Sequence, residues 1–160
     1  MYTRVSFLTV ITSVVLASAT PSAIADTSRR AVRPGLASTH TVTLEATSSV
    51  TDVQVVDSAP AGPSAGDVLV FTEEILDLGG RSIGSDAATC TRLFDTTMLC
   101  QGVYVLQDGQ VLVQLLQPGP TGTYTQAITG GTGKYAGARG TVTLNQHSSG
   151  DRFSFRILLP

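Results

Sequence analysis

Ala127-Ile128-Thr129-Gly130-Gly131-Thr132-Gly133-Lys134-Tyr135-Ala136-Gly137-Ala138-Arg139-Gly140-Thr141-Val142 carries five of the chain's 16 glycines. Glycine serves where φ must be positive or where two backbones approach closely. The stretch lies between two alternating runs. Tyr124–Thr129 leads in, and Ala138–His147 leads out, with Val142 and Leu144 on one side and Thr141, Thr143 and Asn145 on the other. Alternation of period two is the pattern of a half-buried strand. Gly130, Gly131, Gly133, Gly137 and Gly140 therefore predict a tight, fixed corner between two strands. A phosphate-cradling loop is a poor fit, because Tyr135 follows Lys134 where that motif needs Ser or Thr, and a strand pattern follows where it needs a helix.

Working outward, the same period recurs along the chain. Thr39–Ala46 places Val42 and Leu44 on one face and Thr41, Thr43 and Glu45 on the other, and Thr51–Val56 resumes the pattern. Ser58–Gly66, with two prolines and two glycines, is a loop. Asp67–Leu76, Arg81–Phe94 (with a kink expected at Gly84) and Thr97–Leu106 follow as strands. Asp108-Gly109 between apolar runs is a strong hairpin signal. Val111–Leu116 is apolar on both faces, as expected of a strand that is covered on both sides or lines a cavity. Ser148–Asp151 turns the chain into a last strand with Phe153, Phe155, Ile157 and Leu159 on one side. The expectation is an all-β domain of about eight antiparallel strands. A closed barrel removes the exposed edges of an open sheet; a β-sandwich is the runner-up.

The first 25 residues read as a signal peptide. Arg4 supplies the charged start, Val5–Ala17 the apolar stretch, and Ala23-Ile24-Ala25 a small-residue cleavage site. The apolar run is short for a bilayer span of about 20 residues, so no stable membrane span is expected after cleavage and the product is expected to be secreted. Residues 26–38 read as a flexible leader and 39–160 as one domain. Ten basic residues stand against 12 acidic ones, without a basic patch, which argues against a nucleic-acid partner. Cys90 and Cys100 lie symmetrically about Asp95 on consecutive strands, so a directly opposed disulfide is expected; a free nucleophilic thiol is the alternative.

Familiar catalytic and metal patterns are missing from the sequence. His40 and His147 fit no metal-ligand spacing, so no metal site is expected, and no GxSxG is present. Glu73 and Glu74 are adjacent on a strand and face opposite sides; Glu73 shares its side with Phe71 and Ile75.

Three segments carry a family resemblance. ITGGTGKYAGARGTV, residues 128–142, resembles the late-strand signature of the allene oxide cyclase and dirigent barrel superfamily. Gly66–Glu73, GDVLVFTE, is similar to "GDLVPFTN" of the plant cyclases, and Gly102–Leu106 to their "GICVL". The run from Gly66 to Phe94 also resembles the opening hairpin of bacterial spirotetronate cyclases. The resemblance implies an eight-stranded antiparallel barrel of the calycin-like kind, open at one mouth, and self-association as a dimer or trimer. It implies Glu45 as the early-strand carboxylate. It also puts Glu73 where the cyclases have Asn and Tyr104 where they have Cys, so the catalytic set of allene oxide cyclisation is not preserved. Glu45, Glu73 and Tyr104 remain the catalytic candidates, and Phe71, Gln114 and Tyr124 the candidates for contact with a substrate.

Two functions fit these readings. One is a cofactor-free isomerase or cyclase, [4+2] addition included, acting on a hydrophobic, polyketide-like molecule inside the barrel. The alternative is a secreted dirigent-like barrel that binds a small molecule without bond chemistry. A polar group fixed beside an apolar cavity would favour the first, and a uniformly apolar cavity the second.

Overall fold

A computed structural model describes residues 39–146 and 151–160. Residues 1–38, over which a signal peptide and a leader are expected, and residues 147–150 lie outside the described residues. Eight strands follow one another: β1 (His40–Val56), β2 (Val68–Leu76), β3 (Ser82–Phe94), β4 (Thr97–Leu106), β5 (Gly109–Gln117), β6 (Gly122–Gly131), β7 (Arg139–Gln146) and β8 (Arg152–Leu159). Each pairs antiparallel with the next, and β8 returns to β1, with His40 opposite Leu159 and Thr47 opposite Arg152. That last ladder closes the barrel and rules out the sandwich.

Thr39–Ala46 and Thr51–Val56 are halves of one 17-residue strand. Its first half, His40–Thr47, pairs with β8, and its second, Thr47–Val56, pairs with β2, with a register shift between Val50 and Asp52. The strand thus passes from one neighbour to the other at Thr47. Its far half stands free of β8, with Val50 and Val53 exposed at the rim. The irregularity expected at Gly84 falls beside it, between the pairs Ile75–Gly84 and Leu76–Ser82.

The glycine-rich stretch is the corner between β6 and β7 and seals one end of the barrel. A single 3-10 turn, Gly133–Tyr135, buries the Tyr135 ring. The turn is stitched to the β4–β5 hairpin: the Lys134 amide donates to the Asp108 carbonyl at 2.9 Å, and the Thr132 amide to the Gln110 carbonyl at 2.9 Å. Gly133 has φ +58°, and a Cβ there would stand 2.3 Å from the Asp108 oxygen. Above the corner, Tyr104 meets Phe155 and Phe153 edge-on, with ring centroids 4.8 and 5.8 Å away. Rings in this arrangement attract beyond the area they bury.

Towards the other end, Cys90 and Cys100 stand opposite each other on β3 and β4 and are joined by a disulfide. The loop before β2 is held by one carboxylate. Asp67 accepts from the Ser58 amide at 3.0 Å, the Ser64 amide at 2.7 Å and the Ser64 hydroxyl at 3.1 Å.

Candidate functional site

The barrel is filled at the corner end and hollow at the other. A cavity of about 220 Å³ opens between the free half of β1 and the strands opposite. Its wall is largely apolar, with Leu69, Phe71, Val113, Leu115, Leu144 and Phe153 facing inward. Two small residues create the space: Ala88 on β3 stands opposite Gly102 on β4, and both line it. The disulfide forms part of the wall near the mouth.

Polar side chains are set into this wall on one level. Glu73 on β2 is the register partner of Asp86 on β3, and Asp86 is the partner of Tyr104 on β4. In a sheet, such partners lie side by side on one face. Glu73 and Asp86 are each 5% exposed. Burial, with the neighbouring charge of Asp151 added, pushes the Glu73 carboxyl up to about 7, against a hydrogen bond with Ser48. Burial and the adjacent Glu73 push Asp86 up to about 7 as well, against its bond to the Ala87 amide. Two neighbouring carboxyls in an apolar wall resist ionising together. Near neutral pH the pair therefore holds a proton on one member and a charge on the other. The Asp86 Oδ1 atom is buried without a hydrogen-bond partner.

Tyr104 is fully buried and does not line the cavity. Its hydroxyl donates to Gln126 Oε1 across the barrel at 3.0 Å, and burial, followed by the nearby Asp86 charge, holds the phenol well above its usual range. Gln126 does line the cavity. With its oxygen engaged below, its NH2 group is the donor it can offer upward. Tyr104, a catalytic candidate in the sequence, thus reaches the cavity only through Gln126.

The remaining sequence candidates divide. Phe71 lines the cavity beside Glu73, as their shared parity implied. Glu45 faces outward on β1, where Ser154 Oγ donates to its carboxylate at 2.7 Å. The alternation that sends Val42, Leu44 and Ala46 inward sends Glu45 out, so the family resemblance misplaced it. Gln114 likewise faces out, because Val111, Val113 and Leu115 take the inner face of β5. Tyr124 points inward but lies outside the cavity lining; its hydroxyl donates to the carbonyls of Gly119 at 2.9 Å and Thr121 at 2.6 Å.

The sequence reading missed Asp86 and Gln126. Gln126 shares parity with Tyr124 and Ile128, which was a usable signal. Asp86 sits in Gly84-Ser85-Asp86-Ala87-Ala88, where no apolar alternation marks the inner face. Among the described residues, no cluster of His, Cys, Asp and Glu could hold a metal ion, and no helix is long and apolar enough to cross a membrane.

The model of the family described as "Allene oxide cyclase barrel like domain" matches residues 47–159. No curated protein matches the sequence. Among solved structures, a pyocyanin demethylase is similar over 72% of this chain and 99% of its own, at 25% identity and a TM-score of 0.67. A Diels–Alderase from Streptomyces koyangensis is similar over 77% of this chain and 69% of its own, at 15% identity and a TM-score of 0.60. A pterocarpan synthase dirigent protein is similar over 75% of this chain and 84% of its own, at 16% identity and a TM-score of 0.58. At the last two identities the likeness shows the fold.

Proposed function

The chain belongs to the allene oxide cyclase barrel-like family, and from that premise we propose that it is a cofactor-free isomerase or cyclase that moves a proton on a compact, apolar small molecule held in the barrel's open cup. The observation that carries this reading is the Glu73–Asp86 pair, set side by side in an apolar cavity with both carboxyls raised to about 7. A general base and a general acid work best with pKa values near the working pH. The ionised member takes a proton from one atom of the bound molecule, and the protonated member gives one to another. The double bond shifts, or the ring closes, between those events. Protons in and out balance, so the step needs neither oxidant nor reductant. The Gln126 NH2 group steadies charge that develops on a carbonyl oxygen, and Tyr104 holds the amide in that orientation.

Cavity size narrows the substrate. An engineered cavity of about 150 Å³ takes benzene, so about 220 Å³ suits a molecule of two or three rings. An extended polyketide would have to project from the mouth, which favours proton transfer on a small ring system over folding a long chain for [4+2] addition. The pyocyanin demethylase supports bond chemistry on a small molecule in this kind of barrel, and the dirigent protein supports the alternative of a barrel that only orients its ligand. The disulfide supports an oxidising compartment and hence secretion.

Native mass spectrometry of the protein taken from its own culture would identify a retained molecule. That molecule is then incubated with the protein in D2O. The wild type is expected to return it rearranged and carrying deuterium, and Glu73→Gln and Asp86→Asn to return it unlabelled. A molecule returned by the wild type unchanged in structure and isotope would establish the orienting barrel instead.

A further inference from the structure

β1 leaves part of its length paired on one side only. Its ladder with β8 ends at Thr47, while its ladder with β2 runs on to Val56. The Ser48 amide still reaches the Asp151 carbonyl at 3.4 Å. Over residues 49–56 no strand lies on the other side of β1 among the described residues, and the backbone bonds only to β2. Such an edge presents N–H and C=O groups ready to pair with another chain, and proteins usually blunt it with Lys, Pro or a bulge. This stretch has no Lys and no Pro. Its register shift lies between Val50 and Asp52, which leaves residues 52–56 in unbroken register.

The same edge is apolar and borders the cup. Val50, Val53, Val55 and Val56 are between 52% and 69% exposed. Val50 and Val53 line the cavity and yet stand in solvent, because the wall stops at β1. A strand laid beside residues 52–56 would carry the wall on across that opening and cover both.

We infer that this edge pairs antiparallel with the same edge of a second copy of the chain, about a two-fold axis at Gln54. The stretch is complementary to itself. Full overlap of residues 52–56 sets Gln54 opposite Gln54, Val53 opposite Val55 and Asp52 opposite Val56. Opposed residues of an antiparallel pair point to one face, so the two Val53–Val55 pairs meet on the cup side. Gln54 bonds Asp52 of its own strand at 3.3 Å, and an amide keeps both a donor and an acceptor for its twin. Asp52 is the one charged residue of the stretch, and this register keeps it away from its counterpart. Centring the pair on Asp52 would oppose two like charges, which destabilises a sheet. A contact of a surface with itself closes on itself, so association stops at the dimer, and each copy covers the open wall of the other. The inference is independent of the reaction proposed for the cup.

The test is sedimentation velocity of the purified protein at concentrations up to about 0.2 mM, since a short seam associates weakly. A dimer that grows with concentration is expected. Gln54→Lys and Gln54→Glu each set like charges face to face on the axis, and each should weaken self-association about tenfold. Mixed in equal amounts, the two variants should form a heterodimer at least as readily as the wild type forms its dimer. Gln54 is exposed, so both variants should melt with the wild type when dilute. Hydrogen exchange supplies the location: amides within residues 52–56 should slow as the wild type is concentrated, and in neither variant alone. A wild type that stays monomeric at about 0.2 mM overturns the inference. So does a dimer indifferent to both charges, which would join other faces. A monomer whose amides at residues 52–56 already exchange slowly overturns it as well, and would mean that another stretch of the same chain covers the edge.

Discussion

Asp67 and Asp86 are equally hidden, at 6% and 5% exposure, and their surroundings drive them in opposite directions. Asp67 receives two backbone amides and a hydroxyl, with Arg92 beyond them, and its carboxyl is held below the usual range. It contributes stability above its ordinary pKa, and that contribution is lost as pH falls through the lowered value. Asp86 has an unpaired oxygen and a carboxylate neighbour, and is raised to about 7. A raised carboxyl costs nothing below its unfolded pKa of 3.8, and the cost is complete once pH has risen through about 7. At 1.36 kcal/mol per unit the ceiling is about 4 kcal/mol, and sharing a proton with Glu73 lowers it. Asp86→Asn is therefore expected to stabilise the fold by about 2 kcal/mol at pH 8 and by almost nothing at pH 4, as measured by urea unfolding at both pH values. Equal gains at both would mean that Asp86 is not raised. Tyr104→Phe keeps the ring against Phe153 and Phe155 but leaves Gln126 Oε1 without its donor. It should cost about 1–2 kcal/mol and, on the proposed reaction, lower kcat more than it raises KM, because Tyr104 lies outside the cavity lining.

At the scale of elements, the β6–β7 corner was the most readable part of the sequence, and the structure sorts its glycines. A methyl group at Gly133 would meet the Asp108 carbonyl at 2.3 Å with φ at +58°, whereas at Gly130 nothing lies within 4 Å. Gly133→Ala should destabilise by on the order of 3 kcal/mol, and Gly130→Ala should stay within about 0.5 kcal/mol, both by thermal unfolding. The same local logic recovered the β3–β4 disulfide, because opposed positions across a hairpin follow from counting back from its turn. The bridge closes a loop between residues 10 apart, so Cys90→Ala with Cys100→Ala should cost on the order of 3 kcal/mol. Where counting failed, a physical reason is visible. β1 read as two strands because its register slips near Val50, where it has already passed from β8 to β2. Gln114 could not be placed because β5 is apolar on both faces, so parity there carried no signal. Glu45 shows the reverse: its parity was clear, and the structure follows parity over family likeness.

At the scale of the molecule, the sequence announces a closed barrel but not its hollow. Closure follows from eight alternating segments and the need to cover edges. The cavity depends on which small residues meet across strands, here Ala88 against Gly102, and on Asp86 and Gln126 converging from β3 and β6. Those coincidences belong to register, which no single segment encodes. They also carry a cost, since a wall of Leu, Val and Phe around about 220 Å³ forgoes the contacts that a filled core would make. Filling it should reverse that cost. Ala88→Leu places three further carbons in the cavity, each buried methylene contributing about 0.8 kcal/mol if it fits without strain. The gain expected after side-chain ordering is about 1 kcal/mol, seen as a raised melting temperature of the empty protein. The same change should abolish retention of the small molecule that the wild type carries, since it removes the space without altering charge. A variant that melts higher and still retains the molecule would place the ligand outside the barrel, and the acidic pair would then have to be explained without it.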